Sequence, residues 1–191
     1  MIQDSIKATE YSFKDLIFCL KDIREKSFSG NLTVKVDPAP SWVLSFRAGR
    51  LGWVGGGIEP VSRWQRNLAL ANLNLAPERL AEIYNPQKTN LDANTLAQLF
   101  TEESIDRNQC GELIGRMIAE SLFDIIQFSQ HSGNRLAYHL VETGADRGQI
   151  NLLMPVLEIE PILTKAIQTW QEWSNAGLAV YAPSLFPNIS K

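Results

Sequence analysis

The chain has 191 residues, 45% of them hydrophobic, which is enough apolar material for one sizeable core. Its formal net charge is −3, from 18 Lys and Arg against 21 Asp and Glu. That excludes the basic field with which non-specific nucleic-acid binders displace counterions from phosphates. No segment approaches the roughly 20 apolar residues of a membrane span, the start MIQDSIKATEYSF lacks the basic and apolar regions of a secretory signal, and two cysteines, Cys19 and Cys110, are too few for a disulfide framework. A cytoplasmic chain is expected.

In chain order, residues 12–27 read as an amphipathic helix, with Phe13, Leu16, Ile17, Leu20 and Ile23 on one stripe and Ser12 and Asp15 spaced as a capping box. Residues 31–36 alternate as a strand, with Leu32, Val34 and Val36 on one face. Pro38 and Pro40 mark a turn. Residues 42–46 alternate again through Trp42, Leu44 and Phe46. Ala48-Gly49-Arg50 is a tight turn, and residues 51–54 form a third strand ending at Gly55-Gly56-Gly57. Short strands between Gly and Pro turns predict an antiparallel meander, with the first helix as its cover. Residues 61–75 return to helix, with Trp64, Leu68 and Leu75 inward, and residues 76–110 read as short helices joined by polar loops. Residues 112–129 carry a wide apolar face through Leu113, Ile114, Met117, Ile118, Leu122, Ile125 and Ile126. Strands at 136–141 and 150–153 flank Gly144–Gly148 as a second hairpin. A last helix spans 157–175, with Gly177 as its stop and the proline-bearing segment 179–191 as a linker or tail. The expected fold is α+β: an antiparallel β-meander covered by helices, with a C-terminal helix and hairpin in winged-helix-like order. It forms one domain over 1–178, with a helix-meander part at 1–75 and a helix-hairpin-helix part at 90–178.

The residue types that carry chemistry are sparse. Gly55–Gly57 is not followed by the lysine a phosphate loop requires, so the run reads as a turn needing positive φ or close backbone approach. His131 and His139 are the only histidines and the cysteines have no paired spacing, so no metal or cofactor is expected. No G-x-S-x-G elbow or Cys-His arrangement is present. Glu102-Glu103, Glu158 and Glu160 read as solvated or first-turn acids. A non-enzymatic chain is the expectation.

The residues that suggest binding are Gly49-Arg50-Leu51-Gly52-Trp53, then Gly55–Pro60, then Arg63-Trp64-Gln65-Arg66. Arg and Trp are enriched at binding hot spots and can stack on each other. Two readings are open. In one, Arg50, Glu59, Arg63 and Arg66 are exposed contacts supported by Trp53 and Trp64. In the other, the tryptophans anchor the core and the arginines cap the helix or pair with acids.

This constellation resembles the PATAN domain, named for the N-terminus of PatA. The likeness runs from Phe28-Ser29-Gly30-Asn31-Leu32 through Trp42–Phe46, Gly49–Trp53 and Gly56–Pro60 to Arg63-Trp64-Gln65-Arg66-Asn67-Leu68, and returns at Trp170–Leu178. Residues 76–110 contribute little to it. The resemblance implies a signalling output domain of cyanobacterial two-component response regulators, working with a receiver domain in cis or in trans. Relatives of that family act in phototaxis, type IV pilus control and cell patterning, and some bind the pilus extension motor ATPase. The family pattern has His-Pro where this chain has Glu59-Pro60, and two arginines before the tryptophan where this chain has Ser62-Arg63. The charge of that surface therefore differs here. Two rival readings are a winged-helix-like DNA-binding regulator, disfavoured by the acids Glu112, Glu120 and Asp124 on the 112–129 helix, and a homo-oligomeric scaffold using the last helix or Leu185-Phe186.

Overall fold

The first helix, α1 (Phe13–Glu25), starts where the sequence places it. Ser12 N–H donates to Asp15 Oδ2 at 2.7 Å and Asp15 N–H donates to Ser12 Oγ at 3.3 Å, so two orphan amides of the first turn are satisfied reciprocally. Its stripe buries Leu16, Leu20 and Ile23. The computed structural model describes residues 11–37, 40–71, 78, 93–102, 105–130, 135–142 and 154–180.

Three strands follow, β1 (Gly30–Asp37), β2 (Trp42–Arg47) and β3 (Arg50–Gly56), paired antiparallel as the alternation predicts. Leu32 lies opposite Leu44 and Val34 opposite Trp42, so the alternating apolar residues share one buried face. The β2–β3 turn has positive φ at both Ala48 (48°) and Gly49 (77°), the twist a two-residue hairpin requires. Ala48 tolerates it because its N–H is held by Ser29 Oγ at 2.9 Å while Gly49 N–H donates to Phe28 O at 2.8 Å. Ser45 pairs with Trp53 but Phe46 pairs with Leu51, leaving Gly52 as the extra residue of a bulge. The bulge brings Leu51 and Val54, three residues apart, onto the face shared with Phe46 and Leu44, while Trp53, opposite Ser45 on the other face, is buried against Trp64.

The helix α2 (Pro60–Leu70) opens with Pro at its first position, where no donor is needed. Then come α3 (Ala93–Thr101) and α4 (Arg107–Gln130). The latter begins five residues before the predicted start because Asp106 and Gln109 form a capping box, with reciprocal bonds of 2.9 and 2.8 Å. Strand β4 (Arg135–Glu142) pairs with β1 over eight positions, from Gly30 opposite Glu142 to Asp37 opposite Arg135. The sheet order is β3-β2-β1-β4. Of the expected second hairpin, only this first strand falls among the described residues, and it is built into the main sheet. The turn at 144–148 and the strand at 150–153 lie outside them, as do His131, Leu75 and Leu185-Phe186. Leu157 bridges the β3 edge through two hydrogen bonds with Leu51, at 2.9 and 2.8 Å, before α5 (Ile159–Asn175) and a short 3-10 turn, Leu178–Val180. Gly177, at φ 75°, ends α5 as predicted.

The α+β architecture matches the sequence reading: α4 lies across the sheet, and Leu16, Leu20 and Ile23 of α1 join the same core beside it. The 24 residues of α4 extend roughly 36 Å, long enough to cross several strands. It packs against β3 and β1, and α1, α2, α3 and α5 all pack on α4. One hydrophobic core runs through Leu20 of α1, Trp42 of the sheet, Ile118 of α4 and Leu163 of α5, so the N-terminal and C-terminal parts share it. Among the described residues no helix is long and apolar enough to cross a membrane.

Candidate functional site

The six residues singled out from the sequence separate into five environments. Trp53 and Trp64 are buried and meet edge to face with ring centroids 6.3 Å apart, the geometry aromatic quadrupoles favour, so both are core anchors. Arg50 is exposed and pairs with Glu158 at 2.8 Å, beside Arg24, which reaches Glu160 at 2.7 Å. Glu158 and Glu160 are therefore ion-pair partners that tie α5 to α1 and to the start of β3. Both Arg50 and Glu158 are well exposed, so Arg50→Ala is expected to lower stability by no more than about 1 kcal/mol in urea unfolding. A loss of several kcal/mol would show the pair to be a structural lock. Glu59 is exposed at the N-cap of α2, at φ 42°, and makes no side-chain cap.

Arg63 overturns its expected role as an exposed contact, being only 3% exposed. Its Nη1 donates to Ser121 Oγ at 2.7 Å and Gly56 O at 3.2 Å. Its Nη2 donates to Ile58 O at 3.0 Å and Asp124 Oδ2 at 3.2 Å. One guanidinium thus fastens the carbonyls of the glycine corner to α4. The cause is geometric: the corner turns the chain so that the first α2 turn meets α4, and the planar donor fork satisfies acceptors on both sides. Burial holds Arg63 below the usual arginine value, countered by Asp124 and Glu120. Burial likewise pushes Asp124 up to about 6, against the pull of Arg63.

Arg66 is the predicted residue that faces an opening. It is exposed and donates to Glu120 Oε2 at 2.6 Å, while Asn67 Nδ2 donates to Glu120 Oε1 at 3.0 Å. Beside this pair lies a cleft of about 560 Å³ between α2, α4 and α5. Ala119, Phe123 and Ala166 form its apolar base, Thr169 and Trp173 one wall, and Arg66, Glu120, Asp124 and Lys165 the charged rim. Trp173, 39% exposed, stands edge-on to Phe123 with centroids 5.2 Å apart. A smaller groove of about 210 Å³ lies between α1 and α5, along Ile17, Lys21, Leu163 and Ile167.

Sequence reasoning missed Glu120, Phe123, Asp124, Lys165 and Trp173 as site residues. The available signal was paired spacing: Arg63, Arg66 and Asn67 share one face of α2, and Glu120 and Asp124 one face of α4. Nothing local says that these two faces meet. Among the described residues no group of three or more His, Cys, Asp or Glu is placed to hold a metal ion. His139 lies exposed on β4, and burial pushes the thiols of Cys19 and Cys110 up to about 11, which leaves them protonated and poorly nucleophilic at neutral pH. No protein-family model, curated protein or solved structure matches the chain.

Proposed function

We propose that this chain is a non-catalytic protein-interaction domain, the output part of a two-component response regulator of the PATAN kind, and that its partner docks on the α2–α4–α5 cleft. One observation carries the reading. The stretches 63–68 and 170–178, which bear the resemblance and lie about a hundred residues apart in sequence, both contribute to this cleft, through Arg66 and Trp173. An exposed Trp over an apolar base with an Arg at the rim is the composition of a binding hot spot. In this reading a receiver domain, in cis or in trans, controls access to the surface, and the partner belongs to motility or patterning machinery such as a type IV pilus extension ATPase.

The DNA-binding alternative loses support from the same helix that suggested it. A recognition helix must offer a face to the groove, whereas α4 buries eleven side chains in the core and its Arg116 pairs with Glu112 at 3.1 Å.

The test is capture of purified pilus extension ATPase by the chain and by its Arg66→Ala/Trp173→Ala variant. Loss of a hot-spot tryptophan costs about 2 kcal/mol or more, so affinity is expected to fall at least about 30-fold, with circular dichroism unchanged. Arg50→Ala should bind as the parent does. Full binding by the folded double variant would remove the cleft from the argument.

A further inference from the structure

The charged groups of the cleft are unevenly paired. Both Glu120 oxygens are occupied, by Arg66 and Asn67, and Asp124 Oδ2 is held by Arg63. On the cationic side donors are left unspent. Arg66 uses only Nη2, and among the described residues nothing accepts from the rest of its fork. Lys165 Nζ has no ion-pair or hydrogen-bond partner among the described residues. Within the lining two cations, Arg66 and Lys165, stand beside two carboxylates, Glu120 and Asp124; Arg66 pairs with Glu120 and the buried Arg63 with Asp124, which leaves Lys165 as the uncompensated charge. Glu172, beside Trp173 in sequence, hydrogen-bonds Gln168 at 3.3 Å and is not part of the lining.

The cleft also lies open. Arg66 is 54% exposed, as the lip of a groove would be, whereas a small-molecule pocket encloses most of its ligand. An apolar floor between helices, with charge confined to the rim, fits the apolar face of an incoming helix.

We propose that the cleft receives an acidic amphipathic helix of the partner protein, with its apolar residues seated against Phe123 and Trp173 and its carboxylates on Lys165 and Arg66. This inference rests on the cleft being the partner surface, and adds the chemistry of what enters it. Lys165 selects against basic helices by repulsion and for acidic ones by its unspent donors.

The experiment pans a phage-displayed library of random peptides of about 16 residues, roughly four helical turns, against the full chain. Thr169→Trp serves as counter-selection. Thr169 lies on the cleft wall, and its hydroxyl bonds only Lys165 O, at 3.0 Å, so a Trp there fills the cleft without entering the core. The expected winners carry apolar residues at helical spacing and an excess of Asp and Glu. As synthetic peptides they should lose about tenfold or more in affinity to Lys165→Glu, since like charges then face each other. Winners rich in Lys or Arg that fail to bind Thr169→Trp would overturn the acidic-helix inference and leave the cleft as the docking surface. Binders panned without the counter-selection that hold Thr169→Trp as tightly as the parent would overturn the cleft reading itself. An absence of enrichment over the counter-selected protein would overturn the inference as well. Circular dichroism confirms that both variants are folded.

Discussion

Arg63→Ala is expected to destabilise the fold by about 3–5 kcal/mol, a large part of the roughly 5–15 kcal/mol that holds an ordinary domain. The substitution removes donors from Gly56 O, Ile58 O, Ser121 Oγ and Asp124 Oδ2 together. Three of these are neutral acceptors that lose a bond in buried or half-buried places. The fourth is a carboxylate that loses the charge compensating its burial. Urea unfolding should report the loss, and a cost under about 1 kcal/mol would show that water replaces the guanidinium without penalty. Arg63→Met/Asp124→Leu should cost less than Arg63→Ala alone, because no unpaired charge is left behind.

The pair also gives the fold a pH signature. Asp124 titrates at about 6 in the folded protein against an ordinary 3.8, chiefly because burial penalises its charged form. A carboxyl whose folded value lies above its unfolded one holds its proton more tightly when folded. Its contribution is therefore complete below the unfolded value and is lost as pH rises toward about 6, at no more than about 1.4 kcal/mol per pH unit. Asp124→Asn should flatten that part of the stability profile relative to the parent. In Arg63→Ala the carboxyl can escape by protonation, so the variant should be least impaired at low pH and most impaired above neutrality.

Gly57→Ala is expected to cost about 2–5 kcal/mol. Gly57 sits at φ 78°, where a side chain is disfavoured by about 1–2 kcal/mol. A Cβ there would also overlap Trp42 Nε1 and lie 2.5 Å from its Cδ1. Trp42 cannot yield cheaply, since it is fully buried on β2 and packs on Phe128 of α4 with ring centroids 6.0 Å apart. Overpacking of this sort adds about 1–3 kcal/mol. Gly55→Ala is the control: its Cβ would meet Trp53 Nε1 at 3.7 Å, ordinary van der Waals contact, so less than about 1 kcal/mol is expected. Thermal melts of the two variants read the difference. Equal melting temperatures would mean that the corner relaxes freely and that the close approach to Trp42 has no mechanical role.

The glycine run shows where local reading stops. That it marks a bend needing positive φ or close approach was legible, and Gly56 and Gly57 have both properties. Which side chain is approached was not, because Trp42 arrives from another strand. The same division holds for the elements. Alternation in 31–36 and 42–46 and the stripe of α1 are written in neighbouring residues, and Ser12 with Asp15 sets a helix start within one turn. The start of α4 was equally local, in Asp106 and Gln109, and was passed over because the apolar periodicity begins only later. By contrast, the pairing of β4 with β1 joins segments about a hundred residues apart, and the packing of α4 across β3 and β1 is equally long-range.

The amino-acid sequence by itself determined that the chain forms an α+β domain around one meander, and that Arg63 and Arg66 share a helix face. Tertiary structure alone decided that one of them is buried as a clamp and the other opens onto a cleft. Periodicity records which residues of an element face the same way, but the partner they face is set by long-range packing. Glu120 and Asp124 on α4, and Lys165 and Trp173 on α5, become neighbours of α2 only when all three helices settle on the same core.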